Sequence, residues 1–590
     1  MSQVATLRYE WNEARWQKLE RKAFKLQKRI YQASQRGDEP LVRRLQRLLL
    51  SSKSAKWLAT RKVTQDNRGK KTAGVDGKTA LTTGQRVQLA SSLTLHPKAM
   101  PVRRVWIPKP GKKEQRALGI PTISDRAKQA LVKMALEPEW EAKFEPNSYG
   151  FRPGRSCHDA IEAVYGSIKR KHAYVLDADI AGCFDHINHQ ALLDKLHTSP
   201  RLRRIVKAWL KVGILDKGTF RENAAGTPQG GIISPLLANI ALHGMETDTK
   251  YALREDLFEY MKKKRGKASH MLAARMLSII RYADDFVIIH QDKDILLKAK
   301  AFISEWLNNV GLSLKAEKTR ITHTYHSYAD NKPGFNFLGF HIRQYRSNTN
   351  TLGYTTLIKP SKESLKQHLY TIKQLLRKHR GQSQDTVIRN LNPVIKGWCN
   401  YYKSASARKT FEQASHQTFE KLWRWARYRH HQKGRRWVKD KYFLRHKSNN
   451  WRFMTNDHKI LVMHYDFKIK YFVKVKGMKS PYDGDFIYWT TRMGRYPMTP
   501  PRVASLIKRQ QGKCSHCQLF FRAEDILEVH HVDRNPKNNK AENLLLLHGH
   551  CHDNLHGRCM YEKHQVTEEP DVLKGTSPVL EPSMGGDAHA

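Results

Sequence analysis

The sequence predicts a multidomain α/β protein, and three observations carry that expectation. At 590 residues the chain exceeds what one hydrophobic core organises, so roughly two to four domains are expected. Between about residues 100 and 345, short β-branched runs alternate with helical segments, as in a mixed α/β body. Of the seven cysteines, Cys514, Cys517, Cys551 and Cys559 crowd the last tenth of the chain. In an intracellular protein such clustering favours a local metal site over a disulfide framework.

Charge narrows the partner. With 106 Lys and Arg against 54 Asp and Glu, the formal net charge is +52. An excess of this size repels itself unless something like a phosphate backbone neutralises it, so nucleic acid is the expected partner. An anionic membrane competes weakly. No apolar run approaches the ~20 residues needed to span a bilayer, and MSQVATLRYEWNEARW lacks both the basic opening and the apolar stretch of a signal peptide. The chain is therefore expected to be soluble and cytoplasmic, and the lack of an evident transit peptide favours a bacterial over an organellar setting.

Along the chain, residues 1–65 carry Arg, Lys, Leu and Gln at helical spacing and predict basic amphipathic helices within an extension over 1–95. NRGKKTAGVDGKT (67–79) reads as a loop. The mixed body occupies 96–345 and ends at a polar break, RQYRSNTNTLGYTT (343–356). Helical periodicity with dense basic and aromatic residues returns over 346–440. In 441–500, KILVMHYDFKIKYFVKVKG alternates apolar and basic positions and suggests strands. A Cys/His segment fills 501–560, and the aperiodic, Pro- and Gly-containing tail 561–590 is expected to be disordered.

In MLSIIRYADDFVIIH (276–290), two apolar runs flank Ala283-Asp284-Asp285, the pattern of a tight hairpin between buried strands. Alone, an Asp-Asp pair is an ordinary turn. A second acidic strand, AYVLDADIAGCFDHI (173–187), places Asp177 and Asp179 two apart and so on one strand face. Two acidic strand ends can converge on a pair of divalent cations. Nucleotidyl transfer needs such a pair, about 3.5–4 Å apart, to activate a 3′-hydroxyl and to stabilise leaving pyrophosphate. Mg²⁺ suits the task because it takes few carboxylates and completes its octahedron with water and phosphate oxygens.

FDHI, GTPQGGIISPLLANI (226–240), YADD, GLSLKAEKTRITH (311–323) and FNFLGF (335–340) follow one another in the order of the reverse transcriptase palm motifs. Upstream, VWIPKPGKKEQRALGIPTISDRAKQ and SYGFRPGRSCHDAI resemble the fingers of the group II intron-encoded subfamily. The resemblance implies right-hand polymerase fingers and palm with an antiparallel palm sheet, followed by an α-helical thumb. It implies a Mg²⁺ triad of Asp179, Asp284 and Asp285, with Asp177 the alternative to Asp179. Phe184 then fits the bulky gate against a ribose 2′-hydroxyl. Gln229 and Gly230 match the motif beside the incoming deoxynucleoside triphosphate, and Lys109 and Arg116 match residues that grip its phosphates. Lys318 is a candidate proton donor to pyrophosphate.

LNPVIKGWCNYYKSAS (391–406) and KLWRWARYRHHQKGRRW (421–437) interleave aromatics with Arg and Lys, which can stack on unpaired bases and neutralise phosphates. The competing role for Trp398, Tyr401, Tyr402 and Trp423 is helix-packing core. The segment resembles the thumb, or maturase domain, of group II intron proteins and implies the intron RNA as partner.

Cys514-x2-Cys517 and His548-x2-Cys551 have the spacing of a four-ligand structural Zn²⁺ site, although His516, His550 and Cys559 stand close enough in sequence to substitute. Zinc could stabilise a segment too small to fold unaided. EVHHVDRNPKNNKAENLLLLHGHCHDNLH (528–556) between and beyond these knuckles resembles the HNH nuclease motif, in a small zinc-containing ββα-type domain. The resemblance implies His531 as general base, Asn543 as its orienter, and His530, His552 and His556 as ligands of Mg²⁺ or another divalent ion at a double-stranded DNA target. It implies a multifunctional protein that binds its intron RNA, assists splicing, nicks DNA and copies the RNA from the nick. An RNA-binding splicing factor with vestigial enzymatic motifs is the rival, and it predicts broken motifs that the sequence does not contain. A DNA-binding zinc module without catalysis is the corresponding rival for the Cys/His segment.

Overall fold

The computed structural model describes residues 11, 15–79, 81–108, 115–216, 219–221, 226, 230–556 and 572–573. The basic N-terminal segments form α1 (Trp16–Gln35), α2 (Glu39–Ser51) and α3 (Lys53–Arg61). Asp38 caps α2 by accepting from the Leu41 amide, and Ser52 caps α3 by accepting from that of Ala55. Their apolar faces, including Ile30, Leu45, Leu49 and Ala55, are buried with Leu131 and Leu136 of α4 (Ile123–Lys143). The fingers hairpin pairs β1 (Val102–Pro108) with β2 (Gln115–Ile120) antiparallel.

The palm sheet consists of β3 (Tyr174–Asp179), β4 (Ser278–Tyr282), β5 (Asp285–His290) and β6 (Arg320–His323), in the order β4-β5-β3-β6 with every pair antiparallel. Alternate residues feed two separate cores, as the two-residue period of a strand requires. Leu176, Ile279, Phe286 and Ile288 pack into a core shared with the N-terminal helices and α4. Val175, Ile280, Val287 and Ile289 pack into another, shared with α5 (Cys157–Ile168) and the helices beyond residue 360. Coverage on both faces explains why these strands read as continuous apolar runs.

The polar stretch 343–356 is not a break. It is the turn of an antiparallel hairpin between β7 (Phe340–Arg346) and β8 (Tyr354–Pro360), so a boundary at residue 346 would cut paired strands. The alternation in FHIRQYR and YTTLIKP outweighs the turn residues between them, where Gly353 takes φ +72°. The thumb follows as α6 (Lys362–Lys378), α7 (Gln384–Tyr402), α8 (Arg408–Arg429) and α9 (Arg435–Tyr442), then a hairpin of β9 (Phe443–His446) and β10 (Asn449–Phe453).

Strands were expected across KILVMHYDFKIKYFVKVKG, but after β10 the segment 461–479 contains no ladder. It is an extended strap whose polar groups pair with the rest of the molecule. The Lys470 amide donates to the Lys403 carbonyl at 2.8 Å, and the Val475 amide donates to Asp159 Oδ1 at 2.7 Å. Along it Phe472 and Val475 are buried while Ile469, Tyr471 and Val473 face outward, so burial does not follow the alternation of the sequence. Asp159 is fully buried and also accepts from the Arg492 guanidinium.

Beyond the strap, β11 (Leu527–His531) and β12 (Leu544–His548) form an antiparallel hairpin followed by α10 (Gly549–Leu555), a ββα unit. The tail expected to be disordered lies outside the described residues except for Val572–Leu573. These two β-forming residues pair antiparallel with Leu527 and Glu528 on the open edge of β11. No helix among the described residues is long and apolar enough to cross a membrane.

Removing Asp159 would strand the buried Arg492 charge and free the Val475 amide. Asp159→Ala is expected to destabilise the protein by about 3 kcal/mol and to make the strap the first segment cut by trypsin. Thermal melting and limited proteolysis measure both, and an unchanged melt with an uncut strap would remove the strap's anchoring role.

Candidate active site and metal centres

The palm register brings the predicted carboxylates together. Asp179, the last residue of β3, stands opposite Asp285, the first of β5, and Asp285 also pairs with Tyr282 across the two-residue turn Ala283-Asp284. Asp177 stands opposite Val287 on one side and Arg320 on the other, and Arg320 donates to its carboxylate at 3.3 Å. Asp179 is therefore the β3 carboxylate that meets the turn, while Asp177 is held in an ion pair.

Burial and neighbouring carboxylates oppose the ionisation of Asp284 and Asp285. Burial, then the charges of Asp284 and Asp179, push Asp285 up to about 7. Burial also raises Asp284, and Asp177 is pushed up to about 6 mainly by burial. Lys318, in the turn Ala316–Lys318, donates to Asp179. Burial works against its charge, but Asp179 and then Asp285 outweigh that and raise its pKa. An all-oxygen donor set that resists full ionisation without added positive charge fits Mg²⁺.

The turn is built from below by residues the sequence reading had not singled out. Ala283 has φ +57°, a left-handed conformation costing an L-residue roughly 1–2 kcal/mol. Arg281, only 2% exposed, holds it there. Its guanidinium donates to the Ala283 carbonyl at 3.2 Å, to Asn239 Oδ1 at 3.0 Å and to Ser148 Oγ at 2.8 Å. Asn239 in turn donates to the Gly150 carbonyl at 2.8 Å. A Cβ on Gly150 would stand 2.2 Å from the Ala283 nitrogen, so this position admits only glycine. Ser148, Gly150 and Asn239 all lie within the quoted motifs; what hid their roles is that each acts through Arg281 rather than on the reacting atoms.

Around the carboxylates, Phe184 packs partly buried with its ring 5.9 Å from that of Phe151. Gly230 has φ +118°, and a Cβ there would stand 2.6 Å from the Gly119 carbonyl of β2, so the motif bearing it abuts the fingers. Arg116, opposite Ile107 in the fingers hairpin, contributes positive charge at both Asp284 and Asp185. Lys109 and Gln229 lie outside the described residues.

In the thumb motif Tyr402 is core at 2% exposure. Trp398 stacks on His368 at 4.5 Å and donates to Ser364 Oγ, while Tyr401 donates to the Leu338 carbonyl at 3.0 Å. Trp398 packs within the thumb, whereas Tyr401 and Tyr402 tie it to the Leu338-Gly339 segment before β7.

Cys514, Cys517, His548 and Cys551 are all buried, and each offers a ligand atom within 4.8 Å of the others. His548 Nδ1 lies 3.3 Å from Cys517 Sγ, and its Nε2 faces Asp525 at 3.3 Å. A carboxylate on the outer nitrogen fixes the ring for a metal on the inner one. Three thiols and one imidazole in a closed, buried set fit zinc. His550 instead stacks on His548 and faces Glu20 at 3.7 Å, His516 is exposed, and Cys559 lies outside the described residues.

His530 on β11, His552 on α10 and His556 at its end make a second cluster within 4.8 Å. His552 Nδ1 lies 2.7 Å from Glu528, and His530 Nδ1 lies 3.1 Å from His556 Nε2. His531 Nε2 lies 3.4 Å from Asn539 Oδ1. Asn543 was expected to orient His531, but its amide holds the intervening loop. It donates to Asp533 Oδ1 and to the Asn538 carbonyl, both at 2.8 Å, and accepts from the Asp533 amide.

Three family descriptions match the chain: "N-terminal domain of reverse transcriptase" over residues 11–93, "Reverse transcriptase (RNA-dependent DNA polymerase)" over 107–342, and "Group II intron, maturase-specific domain" over 365–443. Group II intron-encoded protein LtrA of Lactococcus lactis is 31% identical over 459 residues, spanning 64% of this chain and 73% of its own length. The chain belongs to the group II intron-encoded protein family. Protein YkfC of Escherichia coli is 34% identical over 333 residues, covering 52% of this chain and 84% of its own, and Maturase-like protein 1 of Euglena gracilis is 28% identical over 414 residues, covering 67% and 77%. As a group II intron-encoded protein, the chain is an RNA-directed DNA polymerase and a splicing maturase that binds intron RNA.

Arg281 acts on geometry alone. Arg281→Met is expected to lower kcat for cDNA synthesis by roughly 10- to 100-fold, the scale of an ångström-level misplacement, with KM for deoxynucleotides and RNA affinity nearly unchanged. Steady-state kinetics on a primed RNA template reads this out, and a KM effect with normal kcat would contradict it.

Proposed function

We propose that this protein nicks one strand of a duplex DNA target with its ββα module and extends the new 3′-end by copying its intron RNA. For the nuclease half, the observation that carries the reading is the cluster of His530, His552 and His556 beside His531, on a ββα unit whose neighbouring Cys/His set suits zinc. Glu528, bonded to His552 Nδ1, leaves the other ring nitrogen free to face a metal. His531 takes the proton from the attacking water, and Asn543 keeps the loop that follows His531 in place. A divalent ion on the three histidines would polarise the scissile phosphate.

In the palm, Asp179, Asp284 and Asp285 would hold Mg²⁺, which lowers the barrier to 3′-hydroxyl attack and to pyrophosphate departure. Arg116 and Lys109 grip the triphosphate, Gln229 and Gly230 line its base and sugar, and Phe184 excludes a 2′-hydroxyl. Lys318, already hydrogen-bonded at Asp179, passes a proton to the leaving group. Within residues 441–500, the strap at 461–479 contacts the DNA, supported by its exposed lysines and Tyr471.

Purified protein bound to its intron RNA should give cDNA on a primed template and a single-strand nick in duplex target. Asp284→Ala should abolish cDNA and leave splicing and nicking intact, whereas His531→Ala should remove nicking alone. A wild-type complex that never nicks its target would sink the nuclease reading without touching the polymerase.

Zinc analysis by mass spectrometry should find about one tightly held zinc per chain. Cys514→Ser should lose that zinc and the module's fold while cDNA synthesis persists. Retention of zinc in this variant would refute the ligand set.

A further inference from the structure

The thumb carries an open groove of about 540 Å³ lined by Trp423, Arg427, Arg435, Arg436, Lys439 and Trp451. We propose that it receives one unpaired nucleobase of bound RNA, stacked on Trp451, with the flanking phosphates on the arginines. The proposal rests on the RNA-binding role of the thumb and specifies a site within it.

Three elements converge there: α8 supplies Trp423 and Arg427, α9 supplies Arg435, Arg436 and Lys439, and β10 supplies Trp451. No carboxylate lines the groove. Among the described residues, Lys439 is the cation of the set that meets a carboxylate, reaching Asp440 at 3.0 Å. Arg435 and Arg436 occupy the first turn of α9, where the helix dipole disfavours cations and acidic residues would stabilise the end. Local helix stability therefore does not account for them, whereas a polyanion does.

The rings differ in availability. Trp423 packs on Phe443 at 5.6 Å and forms a wall. Trp451 is 47% exposed, and its plane is inclined 66° to that of Trp423 at 5.8 Å. The two rings thus make a corner, which offers one stacking face and one edge to a single base. A base inside a duplex cannot enter such a corner, so the ligand is single-stranded or bulged. The match to the maturase-specific domain spans residues 365–443 and includes every lining residue except Trp451, which favours RNA over DNA as the strand that visits it.

The test uses the full chain and a single-stranded RNA of about 12 nucleotides, within the site size of such surfaces, carrying one 2-aminopurine. Wild type is expected to quench the probe. Trp451→Ala should lose the quenching and weaken binding roughly 5- to 100-fold, the range of a lost base–aromatic stack, and Trp451→Phe should restore most of both. Arg435→Ala/Arg436→Ala should instead reduce the slope of log affinity against log salt by about 1.4, at ~0.7 per phosphate contact on a single strand. Trp451 is half exposed, so an unchanged thermal melt reports that the variants fold. Wild-type affinity and quenching in Trp451→Ala would overturn the groove while leaving thumb RNA binding standing. Absence of any wild-type affinity for the RNA would overturn the thumb reading itself.

Discussion

The carboxylate cluster at one end of the palm sheet is the constraint on which the rest of this structure depends. Residues directly opposite on antiparallel strands have Cβ atoms about 4.5–5.5 Å apart, and the register sets Asp179 against Asp285 with Asp284 beside it. Like charges so placed repel by a few kcal/mol even in a moderately polar setting, and Asp285 is accordingly pushed up to about 7 by burial and its neighbours. A loosely held turn would relieve that repulsion by moving. This one is fixed because the sheet behind it is packed on both faces and because Arg281 clamps the left-handed Ala283 from beneath. Two cores and one buried guanidinium thus preserve a site whose groups would otherwise separate.

Much of this was legible in the sequence because it is local. Strand periodicity around Tyr282-Ala283-Asp284-Asp285 and the two-residue spacing of Asp177 and Asp179 are sufficient to predict converging acidic strands. What they leave open is which of the two β3 carboxylates meets the turn, and the register sets Asp179 there, while Asp177 pairs with Arg320, which lies 143 positions away in sequence. Arg281 escaped notice for the opposite reason. It sits next to the motif, but its function lies in Ser148 and Asn239, and no periodicity connects those three residues.

The strap shows how an alternating pattern can mislead. Apolar and basic residues alternate over 467–476, but burial does not follow them: Ile469, Tyr471 and Val473 are exposed while Phe472 and Val475 are buried. The partners of its backbone are a buried carboxylate on α5 and a carbonyl after α7 rather than a neighbouring strand. Alternation in the sequence does not say what pairs with the backbone, so a strand and a docked strap read alike. In the Cys/His segment, by contrast, ligand spacing pointed to Cys514, Cys517, His548 and Cys551 but left His516, His550 and Cys559 open, and the structure groups the first four, whereas the outer carboxylates Asp525 and Glu528 have no fixed spacing and emerge only in three dimensions.

The N-terminal helices have a role that their basic, amphipathic sequence does not advertise. The helices α1 to α3 pack on α4 of the polymerase body, and side chains of α1 also meet the Cys/His module. Glu20 is shared by Arg61 at 2.7 Å and His550 at 3.7 Å, Gln17 donates to the Cys517 carbonyl, and Phe24, Phe486 and Phe520 form a continuous stack. Burial, together with the nearby Arg61 charge, holds His550 well below the usual imidazole range, so it remains a neutral packing group beside the zinc-type set. The module is therefore positioned by packed side chains rather than by the length of a linker. For a protein proposed to cut a strand in one place and extend its end in another, that matters physically. A rigid bridge sets one fixed path for the nicked end.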